Sequence, residues 1–148
     1  MSLFSTFDIS ASGLTAERLR MDTISSNIAN ANTTRTEDGE PYRRQMTVFE
    51  TRSNQFSDQL QRFINRDFDS ESKGVRVRGI VEDDSPFKQV YDPEHPDADP
   101  ETGYVLKPNV EIVKEMVDMI TASRAYEANA TSIDNAKNMA VRTLEIGR

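Results

Sequence analysis

The sequence predicts an α+β fold: long N- and C-terminal helices paired as an antiparallel coiled-coil-like unit, with a small β-rich insert between them. Three observations lead there. Apolar residues recur at every seventh position near both ends of the chain, the period of a helical seam. Between the ends the pattern changes to alternation and β-branched clusters, as strands require. Finally, 148 residues with 36% apolar side chains, no Trp and a mean hydropathy of -0.66 are a thin supply for a compact globule, so either part of the chain is poorly ordered or neighbouring molecules complete its core. The domain division that follows is 1–35 for the N-terminal helix, 36–108 for the β-rich insert with an acidic, proline-rich loop, and 109–148 for the C-terminal helix.

The N-terminal helix rests on Phe7, Leu14, Met21 and Ile28, which share one spacing-seven line, with Leu3, Phe4, Ala11 and Ile24 beside it. No proline precedes Pro41, so the stripe predicts a helix from about Phe4 to Ala31. Gly13 interrupts it at a cost of about 1 kcal/mol relative to Ala. The stripe ends in NIANANTTRT (27–36), which is rich in small residues and amides. Asn and Thr are indifferent helix formers because their side chains compete for backbone hydrogen bonds. Asn32 reads as a C-terminal cap. Asn27 and Asn30 flank Ile28, with the small Ala29 beside them, and read as interface residues.

The C-terminal helix is the stronger prediction. Ile112, Met119, Tyr126, Ile133 and Ala140 form one heptad line, and Met116, Ser123, Ala130, Lys137 and Leu144 form a second; eight of these ten are apolar. Pro108 stops the preceding segment, Asn109 reads as the N-cap, Glu111 suits the first turn and Gly147 ends the helix. From Val110 to Ile146 such a helix is roughly 55 Å long. Small residues such as Ala122, Ala125, Ala128 and Ala136 let another backbone come close, and Asn129, Asn135 and Asn138 can bridge to it. With both helices leaving the insert on one side, Phe7 is expected near Leu144 and Ile28 near Ser123.

In the insert, YRRQMTVFE (42–50) and KGVRVRGIVED (73–83) read as strands, with Asp38-Gly39 a turn before the first. QFSDQLQRFI (55–64) has helical spacing. Prolines at 86, 93, 96, 100 and 108 confine regular structure after residue 84 to PFKQVY and GYVL.

The composition argues against several functions. A formal charge of -7 and a pI near 4.8 disfavour nucleic-acid binding. With no cysteine there is no disulfide, thiolate metal site or Cys nucleophile. No stretch approaches the roughly 18 apolar residues of a membrane span, and no cleavable secretory signal is visible, which by themselves suggest a cytoplasmic protein. Asp97, Asp99 and Glu101 alternate as calcium ligands do. An EF-hand loop counted from Asp97, however, needs Gly and Glu where this chain has Thr102 and Pro108. His95, the single histidine, lies in that same loop. Paired arginines such as Arg43 and Arg44 are more often salt-bridged than anion-binding. No catalytic residue, metal site or cofactor is expected.

With those residues in view, the chain resembles the flagellar axial proteins, and within them the basal-body rod proteins. The resemblance lies in SGLTAERLRMDTISSNIANANTT (12–34), PYRRQ (41–45), GVRVRGIVEDDSPFKQVYDPEHPDAD (74–99) and GYVLKPNVEIVKEMVDMITASRAYEANATSI (103–133). The NIANANT element is common to rod, hook and hook-associated proteins; the YDPEHPDAD and GYVLKPNV stretches point to the rod. The resemblance implies a structural subunit of a hollow drive shaft that transmits torque and conducts exported subunits. Its implied partners are copies of itself, other rod proteins and the flagellar type III export apparatus. Its implied location is the basal-body rod in the cell envelope and periplasmic space, reached without a cleaved signal, in place of the cytoplasm. The expected subunit-packing residues are Phe7, Leu14, Met21, Asn27, Ile28, Ala29 and Asn30 on the first helix. On the second they are Ile112, Met116, Met119, Tyr126, Asn129, Ala130, Ile133, Ala140 and Leu144. The competing reading is a generic helical homo-oligomer carrying a β insert.

Overall fold

The computed structural model describes residues 3–52 and 74–146. The helix expected in 55–64 and the stop at Gly147 lie outside the described residues. Helix α1 spans Leu3–Ala29, strands β1 to β4 span Gln45–Thr51, Val75–Glu82, Lys88–Tyr91 and Tyr104–Lys107, and helix α2 spans Ile112–Ile146. This is the α+β arrangement expected, two long helices around small two-stranded sheets.

Strand β1 pairs with β2. Asp83 N donates to Arg44 O at one end of the pair and Arg52 N to Gly74 O at the other, so the strands run antiparallel. Strand β1 starts three residues later than expected. Residues 42–44 are drawn off by α1 and by the segment before α2 instead: Tyr42 Oη donates to Asn27 Oδ1, and Arg44 N donates to Asn109 Oδ1. The second sheet is the antiparallel hairpin β3–β4, with Val90 opposite Val105 and Tyr91 opposite Tyr104. Val105 is fully buried, whereas the two tyrosines on the other face meet edge to face at 5.4 Å.

The helix ends differ in detail from the expectation. Helix α1 closes through Asn30, whose N and Nδ2 both donate to Ser26 O, so Asn30 and not Asn32 makes the terminal amide bond. Helix α2 begins at Ile112, and Glu111 O accepts its first bond, from Glu115 N. Asn109 is not the cap. Its Oδ1 accepts from Arg44 N, and its Nδ2 donates to Asp83 O and Ser85 O, because two strand ends converge on it from the insert.

Two compact units share the chain. One comprises Met1–Leu19, Phe49–Arg78 and Ser123–Arg148, the other Arg20–Val48 and Gly79–Ala122. In the first, Gly13 lies against Asn129: a Cβ on the glycine would stand 2.8 Å from Asn129 Oδ1. The glycine that looked like a helix flaw is what lets α2 in. Ser10, Ala16 and Ala136 are buried here too. Gly74, at φ 105°, allows Ser12 Oγ to accept from Val75 N at 3.1 Å, and a side chain at residue 74 would collide with that hydroxyl.

In the second unit, Asn27 of α1 donates to Glu115 of α2 at 3.0 Å, and Arg20 pairs with Asp118 at 3.9 Å. Moving back along α1 from Asn27 to Arg20 moves forward along α2 from Glu115 to Asp118, so these stretches run antiparallel. The register differs from the one expected: Asn27, next to Ile28, meets Glu115 rather than Ser123. The seam is set by small and polar residues, not by the large apolar ones whose heptads suggested the other register. Leu144 is 75% exposed rather than paired with Phe7.

Candidate assembly surface

A polar node lies where α1, the approach to β1 and α2 meet. Asn27 and Glu115 are both fully buried. Asn27 Nδ2 donates to Gln45 O at 2.8 Å and to Glu115 Oε2, while its Oδ1 accepts from Gln45 N at 2.9 Å and Tyr42 Oη at 3.0 Å. That fills the amide's capacity of two donors and two lone pairs. Arg44 Nε donates to Glu115 Oε1 at 2.6 Å, and its guanidinium also faces Asp83 and Asp118, each at 3.5 Å. Burial pushes the Arg44 pKa down, but the Glu115 hydrogen bond and the surrounding carboxylates more than offset this and hold it above its ordinary value. Arg44 is therefore salt-bridged, as paired arginines usually are. Beside it, the Arg43 guanidinium stacks 4.3 Å from the Phe87 ring centre.

Opposite this node, α2 presents the other half of its surface. Ile112, Met116 and Ile120 follow one another at i, i+4 spacing, with Val113 and Val117 alongside. Their exposures run from 44% for Ile112 to 70% for Val113. At about 100° per residue the five cover an arc of roughly 140°. The charged residues of this stretch, Glu111, Lys114, Glu115 and Asp118, all fall outside that arc. Isolated exposed apolar residues are ordinary on soluble proteins, but a contiguous uncharged patch of this kind marks an interaction surface.

The acidic loop offers no chemistry of comparable weight. Asp97 accepts from Thr34 Oγ1 at 2.7 Å and faces Arg35, while Asp99 accepts from Glu101 N and Thr102 Oγ1. Among the described residues no three His, Asp or Glu side chains are grouped to hold a metal ion. Nor is any helix among them long and apolar enough to cross a membrane.

Comparison with known proteins gives this surface its context. Residues 7–35 match the family described as Flagella basal body rod protein, and residues 101–146 match Flagellar basal body rod FlgEFG protein C-terminal. The chain is 50% identical over 149 residues to the flagellar basal-body rod protein FlgC of Borreliella burgdorferi, covering 94% of this chain and 93% of that one. It is 47% identical to the FlgC protein of Bacillus subtilis and 38% identical to that of Escherichia coli, in both cases over all of both chains. The chain belongs to the FlgC family of flagellar basal-body rod proteins. A member of that family is a structural rod subunit of the flagellar basal body, not an enzyme.

Within this FlgC-family chain, the residues singled out from the sequence fall into three groups. Asn27 is buried and bonded entirely to its own chain. Phe7, Leu14, Met21, Ile28, Asn30, Met119, Asn129, Ala130, Ile133 and Ala140 are half-buried. Ala29, Ile112, Met116, Tyr126 and Leu144 are exposed. The fully buried seam of α2 instead runs through Glu115, Ala122 and Ala136, with Asn129 at the same seven-residue step. The small-residue pattern had marked Ala122 and Ala136. Glu115, Tyr42, Gln45 and Asp118 escaped sequence reasoning, because nothing in a lone Glu says that an Arg and an Asn will meet it.

Proposed function

We propose that the chain polymerises with copies of itself and other rod proteins into the hollow shaft that transmits torque and conducts exported subunits. The observation carrying this reading is the two-sided character of α2. One side is closed by its own chain through small residues and the polar node. The other, Ile112, Val113, Met116, Val117 and Ile120, is apolar, uncharged and exposed. Packing such a face against a neighbouring subunit completes the core that the composition leaves short, and the apolar area it removes from water favours association. Phe7, Leu14, Met21 and Ile28, half-buried along α1, are the further packing residues of this reading. The domain division at 35/36 and 108/109 separates these packing helices from the insert. Delivery to the periplasmic part of the rod proceeds through the flagellar type III export apparatus, without removal of an N-terminal segment.

The test is Val117→Asp, introduced at the native locus. The expected outcome is a helical protein at ordinary cellular level, absent from purified basal bodies, in non-swimming cells. Normal incorporation and swimming would overturn the reading. A closed oligomer of fixed size formed by the purified chain alone would replace it with the generic homo-oligomer. Mass spectrometry of the subunit recovered from basal bodies checks the route: an N-terminus trimmed beyond the initiator Met contradicts uncleaved export.

A further inference from the structure

A seam of small residues has little power to fix its own register. Ala16, Ala122 and Ala136 accept a neighbouring backbone at more than one offset, since none has a shape that demands a single partner. The node has one solution. Glu115, fully buried, has Arg44 Nε on Oε1 and Asn27 Nδ2 on Oε2. Asn27 in turn is held by both backbone groups of Gln45 and by the Tyr42 hydroxyl. Slide α1 by a residue or a turn, and a buried carboxylate loses one donor while a buried amide loses all four bonds. Unmet buried groups of this kind are strongly disfavoured, and single buried polar residues are the best-attested register devices of paired helices.

We infer that Asn27, Arg44 and Glu115 form a three-element clamp that docks and registers residues 20–29 of α1 against residues 112–122 of α2 in the unassembled chain. Because Arg44 immediately precedes β1 and Gln45 begins it, the clamp closes only when the start of that strand is in place. Pairing of the two ends is therefore conditional on the insert. The clamp grips α2 on the side away from Ile112, Met116 and Ile120, so it orients the exposed apolar arc without covering it. It is a property of the free chain and does not depend on entry into a rod.

A clamp shared by two helices makes a reciprocal prediction that a merely local contact does not. In native-state hydrogen exchange of the full chain, Asn27→Ala on α1 is expected to raise exchange across residues 112–122 of α2 on the order of a hundredfold. Glu115→Ala on α2 should raise exchange across residues 20–29 of α1 by the same factor, while the β3–β4 hairpin keeps its protection. Deprotection confined to the helix carrying the substitution overturns the clamp. If an alanine variant also releases the β3–β4 hairpin, the whole chain has unfolded and Glu115→Gln decides, since it keeps the shape but removes the charge and one acceptor. A rise of about tenfold in both helices then supports the clamp, and a rise in α2 alone, or in neither, refutes it.

Discussion

Gly13 of α1 and Asn129 of α2 are in such close contact that a β-carbon on the glycine would stand 2.8 Å from Oδ1 and 2.9 Å from both Cγ and Nδ2 of the asparagine. Gly→Ala inside a helix ordinarily stabilises by about 1 kcal/mol. Here the β-carbon displaces an amide whose Nδ2 donates to Ala125 O at 2.9 Å, and an overpacking cost of about 1–3 kcal/mol equals or exceeds that gain. Gly13→Ala is therefore expected to lower the urea midpoint, and adding Asn129→Ala to restore it. A stabilised single variant would mean that the seam is looser than this contact requires.

The clamp carries a stability prediction of its own. Arg44→Ala leaves the fully buried Glu115 carboxylate without its cation, which costs about 3–5 kcal/mol. Replacing the ion pair as a unit, Arg44→Met with Glu115→Leu, removes the uncompensated charge while leaving Asn27 on Gln45 and Tyr42, and is expected to be neutral or stabilising. Equilibrium denaturation of the two variants compares them, and equal losses would contradict the ion-pair account.

Acid sensitivity should be confined to a narrow window. The Ser85 hydroxyl and then the Ser85 N–H hold the Asp83 carboxyl below its usual 3.8. The Glu101 N–H and then the Thr102 hydroxyl do the same for Asp99. A carboxyl whose folded pKa is depressed contributes stability that is fully present above the unfolded pKa and is lost as pH falls through the folded one. The loop joining β3 to β4 should thus loosen below about pH 4 as Asp99 is protonated. Asp99→Asn should flatten that acid limb, as followed by near-ultraviolet dichroism of the stacked Tyr91 and Tyr104.

The last turns of α2 should open first. Met139, Val141 and Leu144 are 57%, 46% and 75% exposed. Few buried contacts mean low local stability. Limited proteolysis of the free chain is expected to cut after residue 138 before it cuts within residues 112–122, and the reverse order would count against the register.

Much of this fold was legible because its signals are periodic. The two heptad stripes predicted both helices, and Val-Arg-Val-Arg alternation predicted β2 at Val75–Glu82. The register was not legible, because hydrophobicity ranks Ile112 and Met116 as seam residues, whereas Ala122, Asn129 and Ala136 allow closer approach. The start of α2 was misread for a related reason. Asn109 has the chemistry of a cap, but long-range partners at Arg44, Asp83 and Ser85 compete for the same amide, and a local rule does not register them. The node itself joins residues 88 positions apart, from Asn27 to Glu115, through types that singly read as surface.

The immobility of Asn27 has a consequence for chemical ageing. An asparagine decays to aspartate when the following backbone nitrogen attacks its side-chain carbonyl and closes a five-membered ring, which is why exposed asparagines are among the heat-labile residues. Asn27 is held by four hydrogen bonds inside a helix and cannot turn its amide toward Ile28 N. Were it to convert, a new carboxylate would lie against Glu115 at the site of a 3.0 Å hydrogen bond, and like charges would drive the helices apart. Asn32, exposed and past the end of α1, lacks that protection, yet its loss would leave no buried group unpaired. At residue 27 the lattice of bonds that fixes the fold also removes the geometry of decay.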